Sequence, residues 1–153
     1  VCGLDWHPIT QKLLSCSSDR AAIVWAADHD GKMLPQMCVT KEKMSNLDVN
    51  WNYRGDKFCI GSSSGYVYQA TYNSQFSFWV CRDEKRPRHK ASVVSVRYDP
   101  GSGHAVASAS LDGTIQITSC YDKSLDGEHE IKLDPSQTLK TKKQCQLSKT
   151  QII

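Results

Sequence analysis

No stretch of the 153-residue chain approaches the roughly 20 consecutive apolar residues that a bilayer-crossing helix needs. Nor do the first residues show the charged, apolar and small-residue order of a secretory leader, so a soluble protein is expected. Close cysteine pairs are missing as well. The seven cysteines are scattered through apolar runs such as LLSCSS and FCIGSS, away from zinc-site spacing, which points to reduced thiols inside a core. Charge of one sign is also scarce: 19 Lys and Arg against 16 Asp and Glu leave a net +3, too mild for a domain devoted to nucleic acid. There is no phosphate-cradling glycine pattern, because GSSSG lies between two strand-like runs with no helix to follow. What remains is an ordinary globular balance, 39% hydrophobic and 23% charged, in a chain long enough for one domain and too short for two.

What is present is repetition. Three segments share one layout: an alternating run ending in an aromatic, a polar turn, a small Ser-rich run, a tight turn and a second alternating run. They read GLDWHPITQKLLSCSSDRAAIVW, DVNWNYRGDKFCIGSSSGYVYQA and SVRYDPGSGHAVASASLDGTIQIT. Aligned on the second turn, Asp19, Ser64 and Asp112 coincide and stand 45 and 48 residues apart. That period is close to the roughly 40 to 45 residues that form one four-stranded propeller blade, whereas helical repeats would need apolar residues three and four apart.

Inner strands are predicted near 1–6, 46–51 and 92–98, and middle strands near 12–18, 57–63 and 104–110. Third strands fall near 21–26, 66–72 and 114–120, and outer strands at 36–41 and 76–82. The middle runs carry Ser15, Ser17, Gly61, Ser62, Ala107 and Ala109, small residues suited to close packing between neighbouring sheets. Turns are expected at His7-Pro8, Arg54-Gly55-Asp56, Ser64-Gly65, Asp99-Pro100-Gly101 and Asp112-Gly113. From Asp122 to Ile153 there is no Trp, Tyr or Phe, so this stretch is expected to form a disordered tail. The opening VCGLDW alternates with no preceding turn, which suggests that the chain starts inside a strand with material missing upstream.

At this point the residues resemble the WD-repeat consensus. The third unit carries it best, with His89, Val93, Val96, Tyr98 and Pro100 followed by ASASLDGTIQIT, while the first adds Asp19 and Trp25. The resemblance implies that Asp19, Trp25, His89, Ser110 and Asp112 are structural, in hydrogen-bonded sets that satisfy a turn carboxylate. Departures from the consensus are plain: Arg88 replaces the Gly before the His, Thr118 and Ser119 replace Trp-Asp, and the second unit has Ser64 for Asp and Ala70 for Trp. The fold class expected is all-β, a partial WD-repeat β-propeller of about three four-stranded blades over residues 1–121, with 122–153 as the tail. Three blades leave two apolar faces in water, so the chain is expected to aggregate alone or to be a fragment, a truncated gene model or a piece completed by another chain. Of these the fragment is favoured.

More specific wording lies between the consensus positions. LLSCSSDR, VNW with KFCIGSSSG, FWVCRDEKRPRHKASVVSVRYDP and ASASLDG resemble the WD-repeat subunit family of the actin-related protein 2/3 complex over Val1 to about Tyr121. The resemblance implies a non-catalytic scaffold in the cytoplasm at the actin cytoskeleton, supporting nucleation of branched filaments. Partners would be the other subunits of the complex and, indirectly, the actin filament, with no cofactor, metal, nucleic acid or membrane. A WD-repeat scaffold of another pathway, a substrate receptor or coat component, is the alternative.

The densest charge cluster, RDEKRPRHK, offers Arg82, Lys85, Arg86 and Arg88 to an acidic partner surface, or else forms a solvated loop. Phe78 and Trp79 are candidate contacts beside it, although core packing is the commoner fate of such rings. His7, His29, His89 and His104 with Cys16, Cys59 and Cys120 could be imagined as a metal site or nucleophile pair, but the cysteines fall on different strands of different units and no carboxylate pair or orienting third group stands at matching spacing, so no enzyme is expected.

Overall fold

A computed structural model describes residues 1–40, 44–82 and 88–121. The expected tail, 122–153, lies outside the described residues. Eleven strands and no helix are found among the described residues, and so none long and apolar enough to cross a membrane. The first unit is β1 (Gly3–His7), β2 (Lys12–Cys16), β3 (Ala21–Ala27) and β4 (Met33–Val39). The second is β5 (Asn46–Trp51), β6 (Lys57–Ser62), β7 (Val67–Asn73) and β8 (Phe78–Arg82). The third is β9 (Val93–Tyr98), β10 (Ala105–Ser110) and β11 (Ile115–Ser119). Each unit is one antiparallel sheet in chain order, four, four and three strands wide.

The strands form where the sequence alternates, and the turns between them repeat atom for atom. At the turn joining the middle and third strands, Ser17, Ser62 and Ser110 each donate their N–H to Ala21, Tyr66 and Thr114 carbonyls. The N–H groups of Arg20, Gly65 and Gly113 return to the Ser17, Ser62 and Ser110 carbonyls. All three of these returning residues are left-handed, with φ of 77°, 86° and 78°. Glycine meets that demand at no steric cost in two units, and Arg20 adopts it in the first. Residues 45 or 48 apart therefore do the same work, as the Asp19, Ser64, Asp112 alignment requires.

Successive sheets pack face to face, and period-two alternation decides what each face holds. Between the first and second units lie Leu14, Cys16, Ala22, Val24 and Cys38 on one side, and Val49, Trp51, Phe58, Ile60 and Trp79 on the other. Cys59 and Val67 of the second unit meet Val93, Val96, Tyr98 and Val106 of the third. Gly61 fulfils the expectation of close approach: a Cβ there would lie 3.0 Å from Val93 Cγ1 and 3.1 Å from Val96 Cγ1. The two end faces are uncovered among the described residues. Leu4 and Trp6 are exposed on the first sheet, and Ile115 and Ile117 on the last. Among the described residues no disulfide is formed: Cys16, Cys38, Cys59 and Cys120 are buried thiols, Cys81 is half-buried and Cys2 exposed.

Candidate functional site

Two features organise the molecule's polar chemistry: the hydrogen bonds that join one unit to the next, and the rim where β8 leads toward β9. The joints come first. Asp5 Oδ2 accepts the Trp51 N–H at 2.7 Å and the Asn50 side-chain amide at 2.8 Å. One unit later Asn50 Oδ1 accepts the Tyr98 N–H at 2.7 Å. These acceptors occupy equivalent inner-strand positions, so in the first two units the polar side chain just before the strand's aromatic satisfies a main-chain donor of the following sheet. Arg97 holds that position in the third unit and cannot accept; instead it donates to Asp48 Oδ2 at 2.6 Å, beside the Val96 N–H.

His7, 2% exposed, ties the first two units in another way. Its Nδ1 accepts the Thr10 N–H at 3.0 Å, which leaves Nε2 as the donor to the Tyr53 carbonyl at 2.9 Å. The ring also stands edge-on to Trp51, 5.9 Å between centroids.

The third unit contains the most complete network. His89 is 2% exposed, and its Nε2 meets the Ser108 hydroxyl at 2.9 Å. The Thr114 hydroxyl commits its proton to Asp112 Oδ1 at 2.6 Å, so His89 Nδ1 donates to the Thr114 oxygen at 3.1 Å, with Asp112 Oδ2 at 3.4 Å. Asp112 also accepts the N–H groups of Lys90 at 2.7 Å and Thr114 at 2.9 Å. Both ring nitrogens are engaged, fastening the segment that enters the third sheet to β10 through Ser108 and to the following turn through Thr114.

Three of the five expected structural positions act in the third unit: His89 and Asp112 as above, and Ser110, whose hydroxyl donates to the Ala91 carbonyl at 3.0 Å. In the first unit Asp19 is exposed and holds its own turn, accepting the Ala21 N–H at 3.0 Å. Trp25 donates its indole N–H to Ser15 Oγ at 2.9 Å. Ser15 and Ser108 are functional partners that consensus reading passed over. The signal was there, since each stands four residues before its turn aspartate.

The Thr114 hydroxyl, with the amides of Lys90 and Thr114, holds the Asp112 carboxyl well below the usual carboxylate range against an opposing burial effect. Ser102 and the Gly101 amide lower Asp99 likewise. A depressed carboxylate stabilises the fold fully above the unfolded value near 4, and that contribution is lost as pH falls through the folded value. Thermal midpoints are therefore expected to be level from pH 7 to about 5 and to drop below about 4. Asp112→Asn should flatten that acid limb; an unchanged limb would remove Asp112 from the account.

At the rim, Phe78 is exposed and lies against Phe76, 6.0 Å between ring centroids. Trp79 is 4% exposed, which corrects its assignment as a partner contact. Its ring packs at 4.9 Å from Phe58 and 5.4 Å from Trp51, and its N–H donates to Gln36 Oε1 at 3.1 Å. Arg82 is exposed at the end of β8. Arg88, also exposed, donates its Nε to the Ser64 carbonyl at 2.8 Å and lies 5.0 Å above the Tyr66 ring. Lys85 and Arg86 lie outside the described residues.

Comparison with known proteins finds similar sequence within longer chains. Actin-related protein 2/3 complex subunit 1A of Arabidopsis thaliana is 28% identical over 138 residues, 90% of this chain and 36% of the relative. Subunit 1A-B of Xenopus laevis is 27% identical over 126 residues, 82% of this chain. Subunit 1 of Schizosaccharomyces pombe is 25% identical over 130 residues, 85% of this chain. The chain is similar to subunit 1 of the actin-related protein 2/3 complex. No protein-family model matches it. It spans about a third of the length of these curated relatives.

Proposed function

We propose that residues 1–121 are about three blades of a WD-repeat β-propeller, followed by a tail at 122–153, and that the chain is a non-catalytic scaffold subunit of the actin-related protein 2/3 complex. In this reading it works in the cytoplasm at the actin cytoskeleton, binding other subunits of the complex and supporting nucleation of branched filaments, with no nucleic acid or membrane partner. The observation that carries it is the likeness to subunit 1 of plants, frogs and yeast over most of the chain. Scaffolding suits the chemistry of the buried histidines, whose ring nitrogens are engaged in fastening turns and neighbouring units. The exposed faces at Leu4 and Trp6 and at Ile115 and Ile117 are seats for further blades, which would bury them as the inner faces are buried.

Partner contact is assigned to the rim: Phe78, Arg82 and Arg88, with Lys85 and Arg86 between them. An exposed aromatic flanked by arginines can fill a pocket while pairing acidic groups around it. In the source cells the tagged chain is expected to co-purify with the two actin-related proteins, and its depletion to lower branched polymerisation. Phe78→Ala should cut that recovery by about 10-fold, a loss on the order of 1.4 kcal/mol, while leaving the thermal midpoint within about 2 °C. If neither co-purification nor an effect of depletion is found, the assignment fails and a WD-repeat scaffold of another pathway takes its place.

A further inference from the structure

Cys38 lies on β4 and Cys81 on β8, the outer strands of adjacent units. Those strands run beside one another, with Cα atoms within 8 Å. Their relative register is marked by the Trp79 N–H donating to Gln36 Oε1 at 3.1 Å. Cys38 and Cys81 each stand two residues beyond that pair, and alternation places them on the same two facing surfaces. Cys38 is 2% exposed within the inter-unit core, and Cys81 packs against that core half-buried. The two thiols are hydrogen-bonded to each other, which draws Cys38 below the ordinary thiol range against the opposing effect of burial.

A second pair provides contrast. Cys2 donates its N–H to the Cys16 carbonyl at 2.8 Å, so these cysteines are also neighbours. Burial pushes the Cys16 thiol up to about 12, which leaves it almost wholly protonated and slow to attack.

We propose that Cys38 and Cys81 form a reversible disulfide site, closed by a disulfide oxidant of the glutathione type, that locks the outer strands of the first two units together. Cys81 has the exposed surface and reacts first. Its thiolate attacks one sulfur of glutathione disulfide, forming a Cys81–glutathione bond and releasing one glutathione thiolate. The Cys38 thiolate then attacks the Cys81 sulfur, forming the Cys38–Cys81 bond and expelling the second glutathione. Two cysteine thiols lose two electrons, one glutathione disulfide gains them, and the two protons finish on the two glutathiones. Excess reduced glutathione runs the same steps backward.

The full chain should be equilibrated in glutathione buffers of graded ratio, quenched with acid, alkylated and mapped by mass spectrometry without reduction. A Cys38–Cys81 linked peptide is expected to accumulate first, with Cys16, Cys59 and Cys120 alkylated only after unfolding. The thermal midpoint should rise by about 5–10 °C on oxidation and return with dithiothreitol. Cys81→Ser should abolish both effects, and Cys2→Ser should leave both intact. A stable glutathione adduct on Cys81 without linkage, or linkage of either cysteine to a different thiol, would overturn the proposal. The mapping of the unsubstituted chain decides this even if Cys81→Ser fails to fold.

Discussion

Replacing Phe58 by alanine is expected to lower stability by about 4 kcal/mol, the largest effect of any single truncation considered. Phe58 is fully buried between the first two sheets. Its ring stands edge-on to Trp51 at 5.3 Å and tilted against Trp79 at 4.9 Å, and Tyr72 extends the cluster from Trp79 at 5.2 Å. Alanine forfeits the transfer of the ring from water and leaves a void that two sheets cannot collapse around, and Phe to Ala changes of this kind cost about 3–5 kcal/mol. Lost edge-to-face contacts contribute about 1 kcal/mol of that. Against a total of about 5–15 kcal/mol, the variant would be close to its unfolding transition. Phe58→Leu, which refills most of the space, should cost only about 1–2 kcal/mol. Urea denaturation followed by the fluorescence of Trp51 and Trp79 reads both values. A cost below about 1 kcal/mol for the alanine variant would mean that the sheets are not packed through this ring.

Gly65→Ala is expected to cost about 3 kcal/mol, while the same change at Gly113 should cost about 1. Both residues are left-handed, so each alanine pays the same strain of roughly 1–2 kcal/mol. Their surroundings differ. A Cβ at Gly65 would lie 2.5 Å from the His89 carbonyl oxygen and 3.1 Å from that of Ala91, both main-chain atoms, whereas nothing lies within 4 Å of one at Gly113. Relief at Gly65 would require the lead-in to the third unit to retreat, breaking the His89 N–H bond to the Gly65 carbonyl at 2.9 Å. The comparison isolates contact from backbone strain, since only one of the two sites has a neighbour. Equal losses in parallel chemical denaturation would show that the close approach of the His89 segment contributes nothing.

Much of this architecture was legible before any coordinates, for a physical reason. Period-two alternation in DVNW or SVRY, bounded by Gly, Asp and Pro, admits few structures other than a strand and its turn, and the middle strands begin at Lys12, Lys57 and Ala105 close to expectation. The side on which each residue falls was harder to read. FSFWVC alternates, but alternation on an outer strand does not say which set faces the neighbouring sheet, and it is Trp79 and Cys81 that do so while Phe78 is left in water. The joints were hidden for a different reason. Asp5, Asp48 and Asn50 satisfy main-chain donors 46 to 48 residues away, and no local pattern in the chain marks a carboxylate that accepts from another sheet. His89 was recoverable through its consensus neighbours, yet Ser108 and Thr114, which complete its hydrogen bonding, are unremarkable residues in a Ser- and Thr-rich hairpin.

The unequal faces of each sheet give the array a polarity. In the first joint the earlier sheet supplies Ala22, Cys16 and Cys38, and the later one supplies Trp51, Phe58 and Trp79. In the second joint Gly61 and Cys59 form the shallow side that receives Val96 and Tyr98. A sheet turned back to front would crowd rings against rings on one flank and open a gap on the other. Residue size, together with the directional hydrogen bonds from Asp5 and Asn50, thus favours units that follow one another in a single sense, as steps of a staircase that can be laid only from one end.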